Sequence, residues 1–310
     1  MTQARDHGGG IDAARAEYGG EREDWLDLST GINPVPYPIP AIEPDAWNAL
    51  PDHTAIKALE EAAQEFWNVP DGAAILAAPG ASSLIARIPY LAEIGKVRVE
   101  SRSYNEHEAA FRGIGWDVSD DDASARVIVS PNNPTGAYWE GDDKSPLLII
   151  DESFCDLAPH KSRIDLATNS GTVILKSFGK FWGLAGLRLG FAIGDPALIA
   201  NLASALGPWP VSGPALRIGL AALNDPDWAV QTRNRLATDA ARLDALMRAK
   251  GAKVQGGTDL FRLYRVEDAA DWQSRLARHQ IWSRIFPYSK TWLRLGLPAL
   301  ERWDQLEAAL

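Results

Sequence analysis

Short apolar runs alternate through the middle of the chain with segments whose apolar positions recur every three or four residues. The runs predict strands at 74–78, 97–100, 127–130, 147–151, 173–177 and 189–194. The longer period predicts helices at 54–67, with Thr54 as N-cap, and at 82–92, 105–112 and 196–206. Strands that are apolar on both sides of the pleat, alternating with helices, argue for a mostly parallel sheet covered on both faces. Residues 227–250 then read as one long helix ended by Gly251. Strand patterns at 253–266, 282–287 and 291–297 follow, with helices at 269–279 and from Leu300 onward, which is an α+β arrangement with antiparallel strands. Residues 1–39 are rich in Gly and Pro and show little periodicity. Trp25, Leu26 and Leu28 need burial, so this segment reads as a pinned arm rather than a free tail. The expected fold class is α/β, a three-layer fold with a mostly parallel central sheet plus a smaller α+β domain. Residues 40–215 would form the large domain, and 1–39 with 216–310 the small one.

A chain of 310 residues buries a sizeable core in one or two domains, and it contains no internal repeat or low-complexity tract. A formal net charge of −10 argues against a nucleic-acid partner. There is no basic run and no apolar run of membrane-spanning length, and Met1-Thr2-Gln3-Ala4-Arg5-Asp6 does not resemble a signal segment. A single cysteine, Cys155, rules out an intrachain disulfide and fits a reducing cytoplasm. The five histidines lack metal-ligand spacing, so no metal is expected. Twelve tryptophans are many for this length and should serve as core or interface anchors.

The chemistry concentrates at the ends of the predicted strands. The run Val173-Ile174-Leu175-Lys176-Ser177-Phe178-Gly179-Lys180 ends in Ser-x-x-Lys, followed by glycines and then Arg188. A lysine amine condenses with an aldehyde, which is how a protein holds pyridoxal 5'-phosphate covalently. Ser177 and Arg188 supply the hydroxyl and guanidinium donors that the cofactor's phosphate needs. The strand at 127–130 leads into Ser130-Pro131-Asn132-Asn133-Pro134-Thr135-Gly136, whose prolines and glycine impose a sharp turn. Asn133 there could present its amide to the cofactor's phenolic oxygen. Leu147-Leu148-Ile149-Ile150-Asp151 ends in a carboxylate where ligands of open α/β sheets bind. Asp151 could pair with a protonated pyridine nitrogen and keep the ring an electron sink. The neighbouring Glu152 is assigned no chemistry.

The order Asn-Pro-Thr-Gly, Asp-Glu-x-Phe, Ser-x-x-Lys and Arg resembles the aspartate-aminotransferase superfamily of pyridoxal-phosphate enzymes, over nearly the whole chain. Within it, the chain is most similar to the branch that contains histidinol-phosphate aminotransferases and threonine-phosphate decarboxylases. His7-Gly8-Gly9, Asp27-Leu28-Ser29-Thr30-Gly31-Ile32-Asn33-Pro34, Ser177-Phe178-Gly179-Lys180-Phe181 and Gly207-Pro208-Trp209-Pro210-Val211-Ser212-Gly213-Pro214 favour the decarboxylase side, in its aerobic cobalamin-biosynthesis form. Phe154 stands where the aminotransferases carry a tyrosine, and Leu50-Pro51-Asp52 stands where many relatives have Tyr-Pro-Asp. The chain is also short for the superfamily between Gly115 and Asp151.

The resemblance implies a fold-type-I enzyme and a homodimer. Its implied activity is decarboxylation of L-threonine O-3-phosphate to (R)-1-aminopropan-2-yl phosphate. Amino transfer on histidinol phosphate or an aromatic amino acid is the alternative, and a non-catalytic relative is a third. Lys180, Asp151 and Tyr104 would be catalytic, with Tyr104 stacked on the pyridine ring. Gly80, Ala81 and Ser82 would join Asn133, Ser177 and Arg188 around the cofactor, using backbone amides at a helix start. Gly31, Ile32, Asn33, His107, Asn133 and Arg294 would face a phosphorylated amino acid, with Arg294 forked onto its α-carboxylate. For the substrate's own phosphate, Arg15, Lys161, Arg163 and the His7-Gly8-Gly9 segment all remain open.

Overall fold

The computed structural model describes residues 7–310, so the reading made on residues 1–6 lies outside the described residues. The chain forms two compact units. One is Pro36–Asn133 with Ala137–Val230; the other joins the chain up to Val35 with Pro134–Gly136 and Gln231–Leu310.

The larger unit contains β1 (Ala74–Ala78), β2 (Lys96–Val99), β3 (Asp117–Val118), β4 (Ala125–Val129), β5 (Leu147–Asp151), β6 (Thr172–Ser177) and β7 (Gly190–Gly194). They form one seven-stranded sheet in the order β1-β7-β6-β5-β4-β2-β3. The pairs from β6 to β3 are parallel, while β7 runs antiparallel to both of its neighbours. The sheet is thus mostly parallel. Every residue of β5 is buried, which is why its sequence is a continuous apolar run rather than an alternating one. Helices α1 (His53–Phe66), α2 (Ala81–Ile85), α3 (Asn105–Gly113), α4 (Pro196–Leu206) and α5 (Gly213–Leu223) belong to this unit. Leu84, Phe111, Val97, Ile149, Val173, Ala192 and Leu202 form one continuous apolar cluster with the sheet. Each fully buried Leu, Ile, Val or Phe in it contributes on the order of 1.5–3 kcal/mol.

Three helix expectations change. Asp52, not Thr54, occupies the N-cap of α1. The helix expected over 82–92 stops at Ile85 and resumes as a 3₁₀ turn at Ile88–Leu91, because Pro89 has no N–H to continue the ladder. Helix α5 was not expected, although Ser212 caps it through Ala215 N and Pro214 sits in its first turn.

A second cluster explains many of the aromatic residues. Trp182 stacks on Phe178 at 5.1 Å and on Trp228 at 5.3 Å, with Tyr37, Phe66 and Phe181 meeting it at an angle. The Nε1 groups of Trp67 and Trp182 both donate to the buried Asp156, at 2.8 and 3.1 Å. Burying indoles beneath the Lys180 turn therefore leaves neither N–H unpaired.

The second unit holds most of the long helix α6 (Pro226–Ala249), then β8 (Lys253–Thr258), β9 (Phe261–Arg265), α7 (Ala269–Ala277), β10 (Arg284–Phe286), β11 (Ser289–Gly296) and α8 (Trp303–Ala309). Its antiparallel sheet runs β10-β11-β9-β8. The stretch read as one strand over 253–266 is a hairpin that turns at Asp259 and Leu260. The N-terminal arm carries a helix at Ile11–Tyr18, and Leu26–Asp27 pairs with Ile281–Trp282 as a separate ladder. Trp25, Leu26 and Leu28 are buried there. The division between units falls at 230/231, inside α6, and assigns Pro134–Gly136 to the second unit. Gly136 belongs there because a Cβ on it would lie 2.0 Å from Gly257 O, so only glycine allows this approach.

Candidate active site

The carboxyl ends of β4, β5 and β6 bring the expected groups around one cavity in the larger unit. Ala81, Ser82, Tyr104, Asn133, Asp151, Phe154, Ser177, Lys180 and Arg188 line it. Parallel strands of similar length end at one level, so the residues that follow them share one rim.

Asp151 is 3% exposed. Ser153 gives its Oδ1 two hydrogen bonds, from N at 2.9 Å and from Oγ at 2.5 Å. His107 Nε2 lies 2.9 Å from its Oδ2. Burial pushes the carboxyl up, but the His107 contact and the Ser153 donors outweigh it and hold the group below the usual carboxylate range. An ionised carboxylate at the floor of the cavity suits a cationic ring nitrogen.

The His107 expectation needs correction. The residue is 1% exposed and is not part of the cavity wall. It lies on the first turns of α3, on the buried side of Asp151, where its imidazole orients the carboxylate rather than facing a substrate. Tyr104, three residues earlier, does line the cavity, and its ring meets His107 edge-on at 6.1 Å.

Lys180 is half-buried, and its Nζ lies 5.2 Å from the centre of the Phe154 ring. Arg188 adopts the left-handed conformation at φ 54°, and its guanidinium packs over Gly80. A Cβ on Gly80, itself at φ 80°, would come within 2.7 Å of Arg188 Nη2. Gly80 is also the N-cap of α2, and Ser82 is exposed on the cavity wall. With only five residues, α2 has little dipole, and the local donors matter more. Hydroxyls of Ser82 and Ser177 and the Arg188 guanidinium make a donor set that matches a phosphate.

The remaining expected residues lie in the second unit. Arg294 is buried, donates from Nη2 to Ser29 O at 2.5 Å, and has its guanidinium over the Phe261 ring. Gly31 is buried and Ile32 half-buried. Asn33 is buried with Oδ1 accepting from Arg235 Nη2 at 2.7 Å and Val35 N at 3.0 Å. Its amide oxygen therefore braces the end of the arm.

Sequence reasoning missed Arg284. The ladder register places it directly opposite Arg294 on the neighbouring strand. Residues opposite one another in an antiparallel ladder project from the same face of the sheet. Arg284 Nη1 donates to the carbonyl of His7, and Gly9 N donates to Ser29 Oγ at 2.6 Å. Two guanidiniums and the His7-Gly8-Gly9 segment thus gather in one place. The only signal for Arg284 in the sequence was its place in a strand pattern, and the register could not be read there. The other candidates for a substrate phosphate are engaged elsewhere. Arg15 pairs with Glu21, Lys161 with Glu140, and Arg163 with Gly141 O and the Trp139 ring.

Glu152 also has a clear place. It accepts from Lys176 Nζ at 2.6 Å, from Ser162 Oγ at 2.5 Å and from Arg163 N at 2.6 Å. Burial works against the Lys176 charge, but Glu152 and Asp156 overcome it and push the ammonium up to about 12. Burial likewise pushes the Cys155 thiol up, as befits a packed rather than reactive cysteine. Among the described residues no group of His, Cys, Asp and Glu could hold a metal ion, and no helix is long and apolar enough to cross a membrane.

The chain is similar to known proteins over nearly its whole length. The family model for aminotransferase class I and II matches residues 54–309. A threonine-phosphate decarboxylase from Sinorhizobium sp is 40% identical over 94% of this chain and 92% of its own length. One from Pseudomonas aeruginosa is 37% identical over 98% of this chain and 97% of its own length. The crystal structure of histidinol-phosphate aminotransferase from Sinorhizobium meliloti in complex with pyridoxal-5'-phosphate shares the fold, with a TM-score of 0.80 at 18% identity, covering 97% of this chain and 93% of that one.

Proposed function

The chain belongs to the aminotransferase class I and II family, and from that premise we propose that it decarboxylates L-threonine O-3-phosphate to (R)-1-aminopropan-2-yl phosphate. The observation that carries the reading is the near full-length similarity, at 40% and 37% identity, to two threonine-phosphate decarboxylases. The placement of Phe154 on the cavity wall supports it.

The cavity fits pyridoxal 5'-phosphate. The Gly80 surface leaves room for the Arg188 guanidinium, which a Cβ would displace, and the floor carries an ionised, hydrogen-bonded Asp151. When bound, the cofactor supplies an aldehyde for amine condensation and a ring that accepts electron density from the substrate's Cα. Lys180 would hold it covalently. Ser82, Ser177 and Arg188 would bind its phosphate, Asn133 its phenolic oxygen and Asp151 its ring nitrogen, with Tyr104 stacked on the ring. Arg294 would fork onto the α-carboxylate of the amino acid, and Arg284 with His7-Gly8-Gly9 would take the substrate phosphate. Removing the carboxylate requires its bond to Cα to stand perpendicular to the cofactor ring. That orientation falls to the residues that grip the two anionic ends.

The finer reading is a cytoplasmic homodimer serving cobalamin biosynthesis. Trp47 (68% exposed), Leu50 (64%) and Trp209 (53%) support the dimer, since large exposed apolar side chains, with Trp209 lining an apolar groove, suit a second copy. Sedimentation at assay concentration tests it, and a fully active monomer would refute it. Amino transfer remains the second reading, because the family model that matches the chain is that of aminotransferase class I and II. Product analysis with threonine phosphate separates the two. Release of CO₂ without an amino acceptor supports the proposal, whereas a keto acid formed only with an acceptor refutes it.

A further inference from the structure

We infer that the ring of Phe154 holds Lys180 Nζ in its proton-bearing form, so that this lysine stands ready to give a proton to the substrate's Cα. The inference rests on the decarboxylase reading for its chemical meaning, while the contact itself is independent of that reading.

Phe154 is 4% exposed and follows β5 by three residues, so its ring is held by packing. Lys180 Nζ sits 5.2 Å from the ring centre, within the range where a cation is drawn to an aromatic face. A neutral amine gains little there. The ring therefore favours the ammonium. The other charged or titratable groups on the cavity wall are Asp151, Arg188 and Tyr104. Asp151 adds to the preference for a cation and Arg188 opposes it, so the ring's contribution bears on the balance.

The proton matters because the two candidate reactions need opposite forms of the lysine. Loss of the carboxylate breaks the Cα–carboxylate bond. CO₂ leaves without the bonding pair, and Cα must then gain one proton. Lys180 gives that proton from Nζ and ends as a neutral amine. Amino transfer instead begins with a neutral lysine that removes a proton from Cα. A ring that stabilises the ammonium keeps a proton on Lys180 for delivery to Cα; a tyrosine ring at the same position would hold the same contact, so the ring bears on proton supply and not on the choice between the two reactions.

The test measures Lys180 directly. The full-length protein, freed of cofactor, is labelled with an amine-selective acylating reagent across pH, and the peptide containing Lys180 is quantified by mass spectrometry. Phe154→Tyr keeps the aromatic face and should keep the labelling midpoint. Phe154→Leu removes it and should lower the midpoint by roughly 0.4 to 1.5 pH units. Because the leucine variant can pack differently, 4-fluoro- and trifluoro-phenylalanine at position 154 provide a series of nearly constant shape. The midpoint should fall stepwise as fluorine withdraws charge from the ring face. In the cofactor-loaded enzyme, Phe154→Leu should also convert more cofactor to its amine form per CO₂ released, because Cα is protonated less efficiently. A midpoint that does not move through the fluorine series overturns the inference, whatever the leucine variant does. A wild-type enzyme that transfers amino groups without releasing CO₂, yet shows the graded midpoint, overturns the decarboxylase reading and leaves the ring–ammonium contact standing.

Discussion

Asp151→Asn isolates one charge with little change of shape. Three donors converge on the carboxylate: Ser153 N at 2.9 Å, Ser153 Oγ at 2.5 Å and His107 Nε2 at 2.9 Å. An asparagine would turn its oxygen toward the two Ser153 donors. Its NH₂ would then face His107, whose ring nitrogen must become an acceptor by changing tautomer. The hydrogen-bond pattern survives, and the negative charge does not. A preorganised charge facing a site where charge develops is worth about 2.7–4 kcal/mol, so turnover should fall on the order of 10²–10³-fold. Stability carries a second signature. A carboxyl held below its unfolded value stabilises the fold above about pH 4, and that contribution is lost as pH falls through the lowered folded value. The variant should therefore lose less stability than wild type between neutral and strongly acidic pH. Steady-state kinetics with threonine phosphate, paired with denaturant unfolding across that range, measures both effects. Near-normal turnover would refute the pairing of Asp151 with the cofactor ring. An unchanged acid limb of the stability curve would refute the assignment of a buried, ionised carboxylate.

Lys176→Met should destabilise the fold by about 3–5 kcal/mol in denaturant unfolding, because Glu152 is left buried without its partner, while Glu152→Leu combined with Lys176→Met should recover most of that. The Lys176 contribution should be present below about pH 10.4, the unfolded lysine value, and be lost as pH rises through about 12; the double variant should lack that alkaline limb. Gly80→Ala places a Cβ 2.7 Å from Arg188 Nη2 at a positive φ, and should weaken cofactor binding by about 1–3 kcal/mol in a titration of the cofactor-free protein. Arg284→Ala should raise KM for threonine phosphate by the equivalent of about 1.5–3 kcal/mol and change KM for unphosphorylated threonine much less, whereas Arg294→Ala should raise both.

Much of this protein is written in local sequence. The apolar run at 147–151 is a strand buried on every residue, and it ends in Asp151 where expected. Helix α4 at Pro196–Leu206 has the predicted bounds, since Asp195 caps it and Gly207 ends it. Lys180, Ser177, Asn133 and Arg188 stood out because their spacing within short turns matches the family's motifs, and the sheet gathers them around one cavity. Tertiary structure decided what depends on residues far apart in the chain. The resemblance placed His107 facing the substrate; it is the packing of α3 on Asp151, 44 residues away, that turns it inward. Glu152 and Lys176 lie 24 residues apart and looked unremarkable in sequence, yet neighbouring strands bring them into a buried pair. Arg284 faces Arg294 only in the observed register, and a shift of one residue would send the side chain to the opposite face of the sheet. Turns and periodicities depend on neighbours within a few residues and can be read from the chain. Strand order, register and the partners of buried charges depend on how distant segments pack, and a single sequence does not encode them in any local pattern.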